Sequence, residues 1–131
     1  ERDEAYNKLC LNEVLNSSDV ISIHCPLNER TQNLISAEEL AMMKKSAILI
    51  NIARGGIVNE VALAEALNSG NLRGAALDVF TSEPLRESPL YNLQDPYRLL
   101  TSPHNAWSSV EAIDRLIACI AGNIQEYTAK K

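Results

Sequence analysis

The stretch KKSAILINIARGGIVNEVALAEAL, residues 44–67, decides the fold. Its Ala47–Ala53 run is almost wholly apolar and rich in isoleucine, which is the length and make-up of a buried strand. Arg54-Gly55-Gly56 interrupts the run. Over residues 59–69 the apolar positions then return at helical spacing, on Val61, Leu63, Leu67 and the intervening alanines, until Gly70 stops them. A strand, a glycine turn and a helix make one unit of a parallel sheet.

Working outward, the same unit recurs. Asp19–Cys25 (DVISIHC), Gly74–Phe80 (GAALDVF) and the weaker Arg98–Ser102 (RLLTS) are further strand-length apolar runs bounded by turn residues. Ser36-Ala37-Glu38-Glu39 has capping-box spacing and predicts a short helix ending at Lys44-Lys45, where cations suit the helix dipole. A second box, Ser108 to Glu111, predicts the longest helix, with Val110, Ile113, Leu116, Ile117, Ile120 and Ile124 in one apolar stripe. Alternation of this kind predicts a doubly wound α/β sheet. Only residues 81–97 (TSEPLRESPLYNLQDPY) depart from it, as a polar, proline-bearing connection whose length points to function.

Composition narrows the class. The chain has 131 residues, 46% hydrophobic and 22% charged, which is one domain's worth of globular chain. A net charge of −5 without a Lys/Arg stripe argues against a nucleic-acid partner. No apolar run reaches the roughly 18 residues of a membrane span, and no segment resembles a signal peptide. Cys10, Cys25 and Cys119 are odd in number and widely spaced, so neither a disulfide framework nor a metal site is expected, and a reducing, cytoplasmic setting is. The opening Glu1-Arg2-Asp3, without an initiator Met, reads as the start of an excerpt from a longer chain.

In an open parallel sheet, ligands bind beyond the carboxyl ends of the strands. The predicted strands here end at His24-Cys25-Pro26, at Arg54-Gly55-Gly56, at Asp78 followed by Glu83-Pro84, and at Pro103-His104. A guanidinium at Arg54 fits a carboxylate bidentately, and the glycines after it let backbone approach a ligand. His104, between a proline and Asn105 and just before a helix, suits proton donation and acceptance. Glu83 alone reads as a loop carboxylate; paired with His104 it would orient the imidazole. Asp78, inside an apolar run, is either a hydrogen-bond hub or a cofactor ligand. His24 reads as structural, Cys25 as a small packing residue, and Trp107 as either core or pocket wall.

Three segments, SDVISIHCPLNERTQNLIS (18–36), the opening stretch (44–67), and GAALDVFTSEPL (74–85) followed by TSPHNAW (101–107), together resemble the NAD-dependent D-isomer-specific 2-hydroxyacid dehydrogenases over about residues 11–126. Within that family the HCPL and H-x-A-W forms look most like glycerate dehydrogenase/hydroxypyruvate reductase members. The resemblance implies the second half of a Rossmann-like sheet of about four strands. Residues 1–131 would form the C-terminal part of the NAD-binding domain, with the glycine-rich pyrophosphate loop and the substrate domain lying upstream.

It further implies a catalytic trio. Arg54 would bind the carboxylate of a small 2-keto acid, His104 would protonate its keto oxygen, and Glu83 would tune His104. Cys25, Pro26, Ile52, Ala53, Arg54, Asp78, His104, Asn105, Ala106 and Trp107 would line NAD, with NADP left open because the ribose-reading position is missing. Formate-oxidising relatives carry Gln where Glu83 stands. A homodimer is implied as the assembly. Two other readings stand beside the enzyme: an NAD-sensing, corepressor-like interaction protein, and a catalytically inert fragment that binds NAD poorly and self-associates along an open sheet edge.

Overall fold

The computed structural model describes residues 8–130. The reading of the opening Glu1-Arg2-Asp3 falls outside them. In order along the chain come α1 (Leu11–Ser17), β1 (Val20–Ile23), α2 (Ala37–Met42), β2 (Ile48–Asn51), α3 (Glu60–Asn68), β3 (Gly74–Leu77), two 3₁₀ turns (Pro89–Asn92 and Pro96–Arg98), β4 (Leu99–Thr101) and α4 (Val110–Ala129). The four strands form one parallel sheet in the order β1-β2-β3-β4. Register runs without a break from Val20 opposite Ile48 and Ile48 opposite Gly74 to Ala75 opposite Leu99. Each predicted strand is present, trimmed at its ends where the chain turns toward a loop. Stepping always to the next strand, right-handed crossovers put the connecting elements on one face. There α1 touches α2, and α2 touches α3.

Period-two alternation buries one sheet face. Ile21 and Ile23 of β1, Leu49 of β2, and Ala75 and Leu77 of β3 join Leu15, Leu40, Leu63, Leu67 and Leu72 in a single core. The opposite face carries Val20, 55% exposed, and Leu100, 72% exposed. One layer of helices on one face is half of a doubly wound arrangement.

Local expectations are revised at several points. The helix opened by Ser36 stops at Met42, because Met43 is already extended, so Lys44-Lys45 lie beyond it. Val61, placed on the apolar stripe of α3, is 56% exposed; Ala62, Leu63, Ala64, Ala66 and Leu67 are the residues buried in the core. The cap of α4 is Ser109, whose Oγ accepts from Ala112 N at 3.2 Å, whereas Ser108 turns its hydroxyl to the Asn105 carbonyl. The sequence reading also missed α1, which is short and fastened by Glu13 accepting from Cys10 N. The stripe of α4 exists as a stripe, but none of that helix is buried.

Candidate active site

Three strand ends supply the site. At the end of β2, Asn51 is buried where its neighbours are apolar, and both ends of its amide are used. Its Oδ1 accepts from Ala53 N at 3.1 Å, and its Nδ2 donates to the Arg54 carbonyl at 2.9 Å. Asn51 thereby curls the chain that presents Arg54. The Arg54 side chain is exposed and donates to the Ala53 carbonyl at 2.7 Å. A rotamer change, fast for an exposed side chain, is all that separates it from another acceptor.

Beyond β3, Asp78 is 2% exposed and serves as the hub of the next loop. Its Oδ1 accepts from Ser102 Oγ at 2.6 Å and from Asn105 N at 2.9 Å, and its Oδ2 from Ala106 N at 2.9 Å. Burial alone would push this carboxyl up. The Ser102 hydroxyl, the two amides and the neighbouring His104 outweigh it and hold the group below its ordinary range. The turn that Asp78 grips contains His104 in the left-handed conformation, φ +55°. That conformation is uncommon for a residue with a side chain and persists only where surroundings fix it. The indole Nε1 of Trp107 adds a donor to the His104 carbonyl at 3.1 Å.

The loop after β3 brings Glu83 to the same place. Its Oε2 lies 2.7 Å from Nδ1 of His104, and its Oε1 accepts from Phe80 N at 2.9 Å. The hydrogen bond with His104, then that with the Phe80 amide, hold the Glu83 carboxyl below its ordinary range. An ionised carboxylate can only accept, so Nδ1 carries the proton of that bond and Nε2 is the ring's working nitrogen. A cavity of about 560 Å³ opens beside the pair, walled by Phe80, Leu90, Tyr91 and Leu99.

Glu83 and His104 are thus brought together as the sequence reading required, and Asp78 shows the hub behaviour left open there. Arg54 stands on the neighbouring strand end and bonds within its own loop. Of the residues expected to line a cofactor, Cys25 and Ala53 pack partly against the core, while Ile52 and Trp107 are 43% and 59% exposed. The amides of Asn105 and Ala106 are taken by Asp78, and the Pro26 carbonyl accepts from Thr31 Oγ1. The His24 ring lies 2.8 Å from the hydroxyl of Ser22, two residues earlier. Sequence reasoning overlooked Asn51 and Ser102. For Asn51 the signal was present, since a polar residue within an apolar run needs partners just as Asp78 does.

The fold is a parallel α/β sheet with a hydrogen-bonded carboxylate–imidazole pair at its carboxyl edge, the edge where ligands bind in open sheets of this class. The family is narrower still: residues 1–106 match the D-isomer specific 2-hydroxyacid dehydrogenase, NAD binding domain, and the chain belongs to that family. A glycerate dehydrogenase of Methylorubrum extorquens is 44% identical over 121 residues, 92% of this chain and 38% of that protein. Among solved structures, a D-isomer specific 2-hydroxyacid dehydrogenase from Lactobacillus delbrueckii ssp. bulgaricus in its NAD complexed form is 31% identical. It superposes with TM-score 0.80 over 98% of this chain and 44% of that one. An acyclic imino acid reductase, Bsp5, in complex with NADPH and D-Arg is 33% identical, with TM-score 0.83 over 94% of this chain and 38% of that one. The chain therefore spans about two fifths of the length of these relatives. No helix among the described residues is long and apolar enough to cross a membrane.

Proposed function

We propose that the protein carrying this chain is an oxidoreductase that interconverts a 2-keto acid and its D-2-hydroxy acid with NAD(H), hydroxypyruvate/glycerate or glyoxylate first. The observation that carries this reading is the 2.7 Å bond between Glu83 and Nδ1 of His104, which commits Nε2 to exchanging a proton with an outside group. Ketone reduction needs that proton. The carbonyl oxygen gains negative charge as C2 accepts a hydride, and His104 Nε2–H neutralises it, giving the hydroxyl. In the reverse direction neutral His104 takes the hydroxyl proton. Glu83 keeps the ring oriented and balances the imidazolium. Arg54, released from the Ala53 carbonyl, would hold the substrate carboxylate through two parallel N–H bonds.

The residues present fit the nicotinamide end of a dinucleotide, with the half-exposed Ile52 and Trp107 offering apolar and aromatic surface at that edge. When bound, NADH supplies the hydride. The relatedness to a glycerate dehydrogenase favours small 2-keto acids, and the three free thiols favour a reducing, cytoplasmic setting. A homodimer completes the reading. The test is a panel of 2-keto acids with NADH and NADPH on the full-length protein, alongside His104→Gln. Wild-type turnover that falls by roughly 10² or more in His104→Gln, with NADH binding retained, supports it. Turnover that survives the substitution removes His104 as the proton donor.

A further inference from the structure

Two consecutive main-chain N–H groups just beyond β3 are each taken by a carboxylate. Phe80 N donates to Glu83, as described, and Thr81 N donates to Oε1 of Glu60 at 2.7 Å. Glu60 is the first residue of α3, one position after the N-cap Asn59, whose own side chain accepts from Ala62 N. A helix opening with an acid needs no further reason, since the dipole favours it. The second oxygen of Glu60 does more: it accepts from Ser88 Oγ at 2.9 Å. Ser88 is buried, 9% exposed, and its hydroxyl also accepts from Leu90 N at 3.3 Å, capping the 3₁₀ turn whose Leu90 sits in the core.

A single carboxylate on α3 therefore ties down both ends of the Thr81–Ser88 loop, and Glu83 lies between the ties. We infer that Glu60 is a positioning residue for the acid–base pair: it clamps this loop so that the Glu83 carboxylate stays at Nδ1 of His104. Its effect on rate rests on the function proposed above, while its effect on the loop does not. Apart from the Tyr91 hydroxyl, which donates to the Leu85 carbonyl at 2.9 Å, this loop of polar and proline residues has few other means of holding one geometry.

The experiment uses the full-length protein with Glu60→Ala, Glu60→Gln, Glu83→Gln and the Glu60→Ala/Glu83→Gln double substitution. Amide hydrogen exchange over residues 79–90 and steady-state hydroxypyruvate reduction are read on each. Glu60→Ala speeds exchange in that segment by about tenfold or more, with the strands unchanged. It lowers kcat by about tenfold and leaves KM for NADH within about twofold of wild type. Glu60→Gln keeps an oxygen to accept from Thr81 N and replaces the acceptor at Ser88 by an NH₂. That NH₂ can donate to the Ser88 hydroxyl oxygen once the hydroxyl rotates, so the tie is re-formed in the opposite sense and most of the rate is restored. The double substitution is no slower than Glu83→Gln, because Glu60 acts through Glu83.

Wild-type exchange and kcat in Glu60→Ala overturn the proposal, as does a full additional loss in the double. Should Glu60→Ala fail to fold, Ser88→Ala releases one end alone and must show the same two effects in smaller measure; if it shows neither, the clamp is refuted. A wild-type protein without ketoacid turnover refutes the functional reading, and the exchange data then decide the clamp alone.

Discussion

Gly55 is packed so closely on the carbonyl of Phe80 that a Cβ at position 55 would overlap that carbonyl and crowd Thr81 N. The obstacle is backbone, which cannot swing aside. The loop carrying Arg54 and the loop carrying Glu83 are consequently in direct main-chain contact, and the absent side chain is what lets them meet.

Gly55→Ala should therefore push the two loops apart. We expect a loss of about 1–3 kcal/mol in stability, the usual cost of overpacking, together with a fall in ketoacid reduction larger than the stability loss explains. Urea denaturation and kcat/KM on the same preparation check both. Gly56 differs, because it needs its φ of +82° rather than space, and Ala there strains the turn without touching Phe80.

Asp78→Asn tests the hub. An amide can still accept from Ser102 and Asn105 through one oxygen, but its NH₂ then faces the donating Ala106 N–H. The expected cost is about 1–3 kcal/mol, with the His104 turn loosened first. Urea midpoints measure the stability, and hydrogen exchange at residues 102–107 shows whether the turn is what gives way.

Acidification should unfold the protein through these same carboxyls. Both Asp78 and Glu83 titrate lower when folded than their ordinary values of 3.8 and 4.5. Their stabilisation is thus complete above those values and is lost as pH falls through the lower, folded ones. Unfolding free energy should decline with pH from about 4.5 downward. Glu83→Gln, which removes one of the two groups, should make that decline shallower. Denaturant titrations at a series of pH values would show equal slopes if the linkage is wrong.

Arg54→Ala should cost several kcal/mol in transition-state stabilisation, expressed as a drop in kcat/KM for the ketoacid. NADH affinity and thermal stability should change little, since the exposed guanidinium bonds the adjacent Ala53 carbonyl within its own loop. An unchanged kcat/KM takes Arg54 out of the site.

What was legible in the sequence follows from how local the information is. β1, β2 and β3 could be read because each is buried on at least one face and writes its period into a few residues, Ile21 and Ile23 or Leu49 and Asn51, whereas β4, with no buried residue, left the weakest run. Glu83 and His104 could be picked out because each follows a strand end and matches a family motif. Their union depended on Asp78 and Glu60, whose partners lie 21 to 28 positions away and leave no local pattern. The exposed stripe of α4 misled in a different way: periodicity reports that a face is apolar, not what covers it.

The order β1-β2-β3-β4 has a consequence for how the molecule comes into being. Among the described residues, each pairing joins a strand to the next one along the chain. Each new strand emerging from the ribosome meets a template already made, so growth of the sheet need never wait for a distant segment. Synthesis and assembly can then proceed in step, with the His104 turn, whose grip comes from the earlier Asp78, set among the last.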